Sequence, residues 1–250
     1  MKFVVKYFSE IAIKSKPVRR RFIGQLAENM RLTLRDIDPG VTVQRGWDKL
    51  QVETGQEDEG VLALMVDAMC NTPGITYVLE VTECALPDLD AIVEHVLPVY
   101  AARLSGRLFA VRCKRSGAHN FTSVEVERRV GAALLARTEA AGVKLKHPEV
   151  TVDLEISKDT LYVIGRRHRG LGGYPIGSID PVLSLISGGF DSPVPIYLTM
   201  TRGVRAPLGF CSLGGRDQVV GVKAVALYLG QEYGCELRGV FITVPFEEVV

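Results

Sequence analysis

Several common classes of protein are excluded by what this 250-residue chain lacks. No window holds eighteen uninterrupted apolar residues, so the sequence offers no transmembrane helix. The N-terminus, Met1 to Phe8, alternates like a strand and has neither the apolar core nor the small-residue cleavage site of a signal peptide. The five cysteines, Cys70, Cys84, Cys113, Cys211 and Cys235, show no C-x-x-C spacing. That argues against a disulfide framework and fits a reducing cytoplasm. Histidine is scarce. His119 has no second histidine or carboxylate spaced to orient it or to share a metal, and His95 and His147 read as structural. No G-x-x-x-x-G-K-[ST] occurs, nor a G-x-G-x-x-G, which excludes a P-loop and a dinucleotide fingerprint. The single tryptophan, Trp47, is expected to pack within the first domain or its hairpin.

Net charge is nearly absent too, at +1, but its distribution is uneven. Residues 1–35 carry +7, 36–101 carry −11, 102–170 carry +7 and 171–250 carry −2. Two basic segments flanking an acidic one suggest basic surfaces suited to nucleic acid. Solvated faces whose charges pair in three dimensions are the plainer alternative, and charge alone favours it.

The hydrophobic pattern divides the chain into three. Residues 2–8 read as a strand. Ser15 and Pro17 open a helix in which Val18, Phe22, Leu26 and Met30 recur every four residues. Val41–Val43 and Leu50–Glu53 are strands around a turn near Gly46, and Val61, Leu64, Met65 and Met69 form a second helix. With a strand over 75–81, this β-α-β-β-α order predicts a ferredoxin-like α+β unit over residues 1–75. Residues 76–170 mix helices and strands: a helix over 88–103 that Pro98 should kink, and a strand over 108–113. A helix opened by the Thr122/Glu125 capping box runs to Ala141, and strands over 150–156 and 160–164 flank a turn at Lys158-Asp159. Gly170 to Gly177 reads as a linker. Beyond it, strands over 182–186, 204–211 and 239–244 alternate with helices over 192–201 and 217–232, the opening of a parallel α/β domain. Three strands leave such a sheet uncovered, so the chain reads as part of a longer protein or as one completed by a partner.

Two stretches carry chemistry. Val182-Leu183-Ser184-Leu185-Ile186 has the apolar run of a strand buried on both faces. It breaks at Ser187-Gly188-Gly189-Phe190-Asp191 and resumes as a helix, with Ser192 as N-cap and Pro193 in the first turn. Strand, glycine pair and helix start, in that order, make an anion site. The second stretch is the basic loop Lys114-Arg115-Ser116-Gly117-Ala118-His119-Asn120-Phe121-Thr122-Ser123. Its cations would neutralise phosphates, and His119 or Phe121 could stack on an unpaired base. The plainer reading of Phe121 is a residue packed beneath the following helix, and it is the one favoured.

Ser187-Gly188-Gly189-Phe190-Asp191-Ser192 resembles the PP-loop, the SGG-x-DS signature of ATP pyrophosphatases. The string Lys114-Arg115-x-Gly117-x-His119-x-Phe121-x-Ser123-x-Glu125 resembles the THUMP RNA-binding domain. With Gly172-Gly173-Tyr174-Pro175-Ile176-Gly177 and the opening fourteen residues, the whole chain is similar to the tRNA 4-thiouridine synthase (ThiI) family. The resemblance implies an N-terminal ferredoxin-like domain over 1–75 and a THUMP domain over 76–170. An incomplete α/β PP-loop domain, adenine nucleotide alpha hydrolase-like with a parallel sheet, follows over 177–250.

It implies an ATP- and Mg2+-dependent tRNA sulfurtransferase. Such enzymes adenylate a tRNA uridine at its C4 oxygen and replace that oxygen with persulfide sulfur supplied by a cysteine desulfurase. Members also supply sulfur for the thiamine thiazole ring, which implies a sulfur-carrier partner; a homodimer is compatible with it, and the expected compartment is the cytoplasm. By this resemblance the Gly188 and Gly189 amides, with the Ser187 and Ser192 hydroxyls, would hold ATP phosphates, and Phe190 lies in the same cofactor-binding loop. Asp191 would be the catalytic and metal-orienting group. Leu185, Ile186, Phe210 and Cys211 would flank the nucleotide. Arg112, Lys114, Arg115, His119 and Asn120 would contact the tRNA acceptor stem. The sulfur-carrying cysteines of the family have no counterpart among these five. The competing reading is a tRNA-binding module with an incomplete nucleotide loop.

Overall fold

In the computed structural model, residues 1–189, 191–212, 216–233 and 241–245 are described. They fall into two compact units, one of Met1–Lys2 with Leu79–Arg167, the other of Phe3–Val78 with His168–Val250.

The second of these units opens with β1 (Lys2–Tyr7), α1 (Ser9–Ala12), α2 (Lys16–Arg35), β2 (Thr42–Arg45), β3 (Lys49–Glu53), α3 (Glu59–Cys70) and β4 (Ile75–Ala85). The strand order β2-β3-β1-β4 is the arrangement that the β-α-β-β-α reading called for. Phe22, Leu26, Met30 and Leu34 of α2 are all buried, as their spacing of four requires. They meet Phe3, Val5, Leu50, Val52, Met65 and Met69 in one core. Each such side chain contributes about 1.5–3 kcal/mol on burial. Trp47 is an exception to expectation: it is 67% exposed. It occupies the tip of the β2–β3 hairpin, between the two strands.

The other unit is built from the rest of β4, then α4 (Ile92–Leu104), β5 (Leu108–Ser116), α5 (Ser123–Arg137), β6 (Gly142–Val143), β7 (Val150–Ser157) and β8 (Thr160–Gly172), in the strand order β4-β8-β7-β5-β6. The core joins Val96 and Tyr100 of α4, Val126, Val130 and Leu134 of α5, and the buried faces of β5, β7 and β8. The capping box forms as the sequence predicts: Thr122 Oγ accepts the Glu125 N–H, and the Glu125 carboxylate accepts the Thr122 N–H. The helix ends at Arg137, not Ala141, because Ala141 donates its N–H to the Arg107 carbonyl and Gly142 pairs with Leu108 as a strand. Strand β5 runs three residues further than expected, so Lys114, Arg115 and Ser116 belong to a strand. Parallel pairing with β7 carries it there, setting Lys114 opposite Glu155 and Ser116 opposite Ser157.

The remaining elements, β9 (Tyr174–Ile179), β10 (Ser184–Leu185), α6 (Pro193–Met200), β11 (Arg202–Val204), β12 (Leu208–Ser212), α7 (Arg216–Tyr233) and β13 (Phe241–Pro245), return to the unit that contains α2. The expected linker over 170–177 is ordered strand. β9 pairs in parallel with β11, and Asn29 of α2 donates from Nδ2 to the Ile176 carbonyl at 3.0 Å. The glycines serve close approach rather than flexibility: a Cβ on Gly173 (φ +72°) would stand 2.0 Å from the Thr201 carbonyl oxygen, and one on Gly170 would stand 2.5 Å from that of Ile75. The expected strand over 204–211 is two strands, β11 and β12, with Pro207 in the break.

The strand order β10-β12-β13, all parallel, is the expected α/β opening. Val182, Ser184 and Ile186 donate their N–H groups to the carbonyls of Arg205, Pro207 and Gly209. Only Ile186 is buried; Val182, Leu183 and Leu185 are 52–68% exposed. The reading of a strand buried on both faces is therefore corrected. Among the described residues β10 is an edge strand with one hydrogen-bonded neighbour, and its outer side chains have no covering layer.

Candidate functional site

Residues 187–192 leave β10 at its carboxyl end and enter α6, the place where open parallel sheets bind ligands. Ser192 occupies the N-cap position, but its hydroxyl makes no capping bond to α6. It turns back to the loop instead. Ser192 Oγ accepts the Ser187 N–H at 3.1 Å and lies within hydrogen-bond reach of the Ser187 and Gly189 carbonyls at 3.1 and 3.3 Å. The two hydroxyls, Ser187 Oγ and Ser192 Oγ, are 3.3 Å apart. One serine thus ties off the turn and holds Gly188 and Gly189 at the surface. A Cβ on Gly188 would come within 3.9 Å of Gln218 Cγ on the first turns of α7, so the loop lies against that helix. Asp191 is exposed in the turn before α6.

The flanking residues divide by burial. Ile186 is in the core, and its N–H is spent on Gly209. Phe210 is 2% exposed, its ring stacked on Phe241 at 6.3 Å, and so belongs to the core as well. Leu185 and Cys211 are exposed. Phe190 lies outside the described residues, as does Cys235. No group of three or more His, Cys, Asp or Glu able to hold a metal occurs among the described residues. A magnesium ion held mainly by phosphates needs only one or two protein carboxylates, and Asp191 is the exposed carboxylate in this turn.

The basic stretch lies in the other unit. Arg115 donates from Nη1 to His119 Nδ1 at 2.9 Å and to the Gly117 carbonyl at 3.3 Å. His119 Nε2 lies 2.8 Å from the Lys158 carbonyl, which can only accept. The guanidinium can only donate, so His119 is held as the neutral tautomer with its proton on Nε2. Its ring stacks on Phe121 at 5.2 Å, and Phe121 is partly buried against the core. His119 is therefore a brace between the strand end and the β7–β8 turn. Arg112 is tied to the Leu145 carbonyl at 2.5 Å. Lys114 and Asn120 are exposed. Burial pushes the Cys113 thiol up to about 11, with Glu127 adding to the effect, and Cys70 is raised to about 11 chiefly by burial; neither is a ready nucleophile.

The sequence reading missed Gln218 as a neighbour of the glycine pair. It also missed a pairing between Arg19 and Trp47, whose guanidinium carbon stands 3.4 Å from the indole centroid. No sequence signal links positions 19 and 47; only the fold brings them together.

Three family models match in succession: "ThiI ferredoxin-like domain" over residues 2–78, "THUMP domain" over 87–164 and "Thiamine biosynthesis protein (ThiI)" over 177–250. Proteins named tRNA sulfurtransferase from Azotobacter vinelandii and Pseudomonas aeruginosa are each 52% identical over the entire chain, and one from Shewanella amazonensis is 47% identical. The chain spans about half the length of these relatives, 52% in each case. Among solved structures, a Pyrococcus horikoshii protein superposes with a TM-score of 0.83 at 21% identity, covering all of this chain and 80% of the other. A 4-thiouridine synthetase, solved as an RNA complex with bound ATP, superposes with a TM-score of 0.82 at 20% identity, covering all of this chain and 63% of the other. At such identities these two likenesses establish the fold. The run of three models and the relatives half identical from end to end carry the assignment: the chain belongs to the ThiI family.

Proposed function

We propose that this chain is the RNA-binding and ATP-binding part of a tRNA sulfurtransferase that converts a tRNA uridine to 4-thiouridine. The observation that carries the reading is the Ser187–Ser192 turn. It sets an exposed glycine pair, with the Gly189 N–H in only a long 3.5 Å bond to Ser187 Oγ, and two hydroxyls between the end of a parallel strand and the start of α6, in a chain half identical throughout to proteins named for this activity.

ATP supplies a good leaving group: adenylation turns the C4 oxygen, which leaves poorly from the ring, into part of AMP. The Gly188 and Gly189 amides, with Ser187 and Ser192, hold the phosphates. The partial positive charge at the α6 N-terminus adds about 0.3–1 kcal/mol toward an anion. Asp191 would hold a magnesium ion, which would supply positive charge to the phosphates. Leu185 and Cys211, exposed beside the loop on adjacent strands, flank the nucleotide, as do the backbone groups of Ile186 and Phe210. Arg112, Lys114, Arg115 and Asn120 contact tRNA phosphates and sugars in the acceptor-stem region, while His119 braces Arg115. A cysteine desulfurase would supply the persulfide, and the same chemistry would serve thiazole synthesis. The proposed compartment is the cytoplasm; no helix among the described residues is long and apolar enough to cross a membrane.

The test is to give the 250-residue chain ATP, magnesium and tRNA and to measure AMP. tRNA-dependent AMP release supports the reading. tRNA binding without ATP binding would favour a module that only grips RNA.

A further inference from the structure

We propose that Trp47 and Arg19 form a stacking platform for an unpaired RNA base; this rests on the tRNA reading above and adds a subsite to it. The chain's only tryptophan is 67% exposed, although burial of so large a ring is strongly favourable. It is held in place rather than loose. Tyr7 donates its hydroxyl to the Lys49 carbonyl at 2.7 Å, with that of Gly46 at 3.1 Å, and Gly46 N–H closes the turn onto Lys49. The tip that carries Trp47 is thus pinned to β1 from below.

One face of the indole is occupied by the Arg19 guanidinium at 3.4 Å. Arg19 is itself anchored through Nη1 to the Ala12 carbonyl, and its Nη2 is buried with no hydrogen-bond partner among the described residues. The ring, not a carboxylate, is what this cation rests on. With one face against Arg19, the 67% exposure of the residue falls to the ring edge and the other face. The neighbouring acid, Asp48, is engaged by Lys6 at 3.4 Å, and Arg45 stands two residues before Trp47 on the same hairpin. Helix α2 contributes exposed Lys16 and Arg20 from the turn that carries Arg19.

A rigid aromatic face backed by a guanidinium and set among cations is what a nucleic-acid base takes when its phosphate must be neutralised nearby. A paired base keeps its faces within the helix, so the platform selects an unpaired nucleotide. An apolar protein partner would instead want a contiguous apolar patch, which the cationic rim does not provide.

The sole tryptophan makes the test direct. The 250-residue chain is titrated with an RNA hairpin bearing a short unpaired end and with the same hairpin made blunt. Trp47 fluorescence and the anisotropy of labelled RNA are read together. We expect the unpaired end to quench Trp47 and the blunt hairpin to leave it bright. We expect Trp47→Ala to weaken binding of the overhang RNA by roughly 5- to 100-fold, with Trp47→Phe recovering part of that and the blunt RNA unaffected. RNA binding with unquenched Trp47, or equal loss for both RNAs in Trp47→Ala, overturns the platform and leaves the tRNA reading standing. Failure of both RNAs to bind overturns the tRNA reading itself.

Discussion

Ser192 Oγ accepts the backbone N–H of Ser187, five residues earlier, at 3.1 Å, and so closes the turn that carries both glycines. A hydroxyl that shapes the loop and also faces its ligand has two roles to lose. Ser192→Ala is expected to weaken ATP binding about tenfold, the effect of one such hydrogen bond at roughly 1–1.5 kcal/mol. Ser192→Thr, which keeps the hydroxyl, is expected to restore most of it. Calorimetric titration of the chain with Mg-ATP checks both.

Arg115 and His119 should separate by salt. If Arg115 meets one phosphate, Arg115→Ala lowers the slope of log affinity against log salt by about 0.7–0.9, in addition to weakening binding. His119→Ala removes the brace and not a charge, so affinity falls while the slope stays near wild type. A His119→Ala slope shifted as far as that of Arg115→Ala would contradict the neutral tautomer inferred from its two partners.

Asp38 is buried and accepts the Thr54 hydroxyl at 2.5 Å and the Gly40 N–H at 3.0 Å. The Thr54 bond is the main reason its carboxyl titrates below the usual range; burial opposes it, and Gly40 and Gln56 assist. A depressed folded-state pKa adds stability that is complete above the unfolded value, about 3.9, and is lost as pH falls through the folded one. Asp38→Asn should therefore be less stable than wild type at neutral pH, with the gap closing in acid. Urea midpoints at pH 7, 5 and 3 measure it, and a gap independent of pH would contradict the assignment.

Surface ion pairs and core contacts should differ sharply in the unit containing α4 and α5. Arg137 reaches both oxygens of Glu94, yet both side chains are about half exposed and screened by solvent, so Glu94→Gln is expected to leave stability nearly unchanged. Phe109 is fully buried, and Phe109→Ala should cost about 3–5 kcal/mol. Denaturant unfolding of the two variants decides the order.

The fold was legible where its signals were local. Thr122 and Glu125 sit three residues apart and cap each other, and the α2 stripe at Phe22, Leu26 and Met30 needed only the helical period. Gly170 to Gly177 misled because glycine serves mobile linkers and close backbone approach alike; only the neighbouring Thr201 and Ile75 carbonyls reveal which. Leu183 and Leu185 misled for a related reason. An apolar run reports that a strand is meant to be covered, and β10 has no cover among the described residues. At the candidate site, the Ser187–Ser192 motif was plain in sequence. The brace at His119 and the Arg19–Trp47 pair depend on residues brought together from 39 and 28 positions apart, where no spacing rule reaches.

In the proposed function the turn at 187–192 binds ATP through Asp191 while other residues hold RNA. The direct measurement is Mg-ATP affinity and tRNA affinity for wild type and Asp191→Asn, taken on the same preparations. Wild type is expected to bind both ligands, and Asp191→Asn to lose tenfold or more toward Mg-ATP and nothing toward tRNA. Unchanged Mg-ATP affinity in Asp191→Asn, or a wild-type chain that ignores ATP, would contradict it.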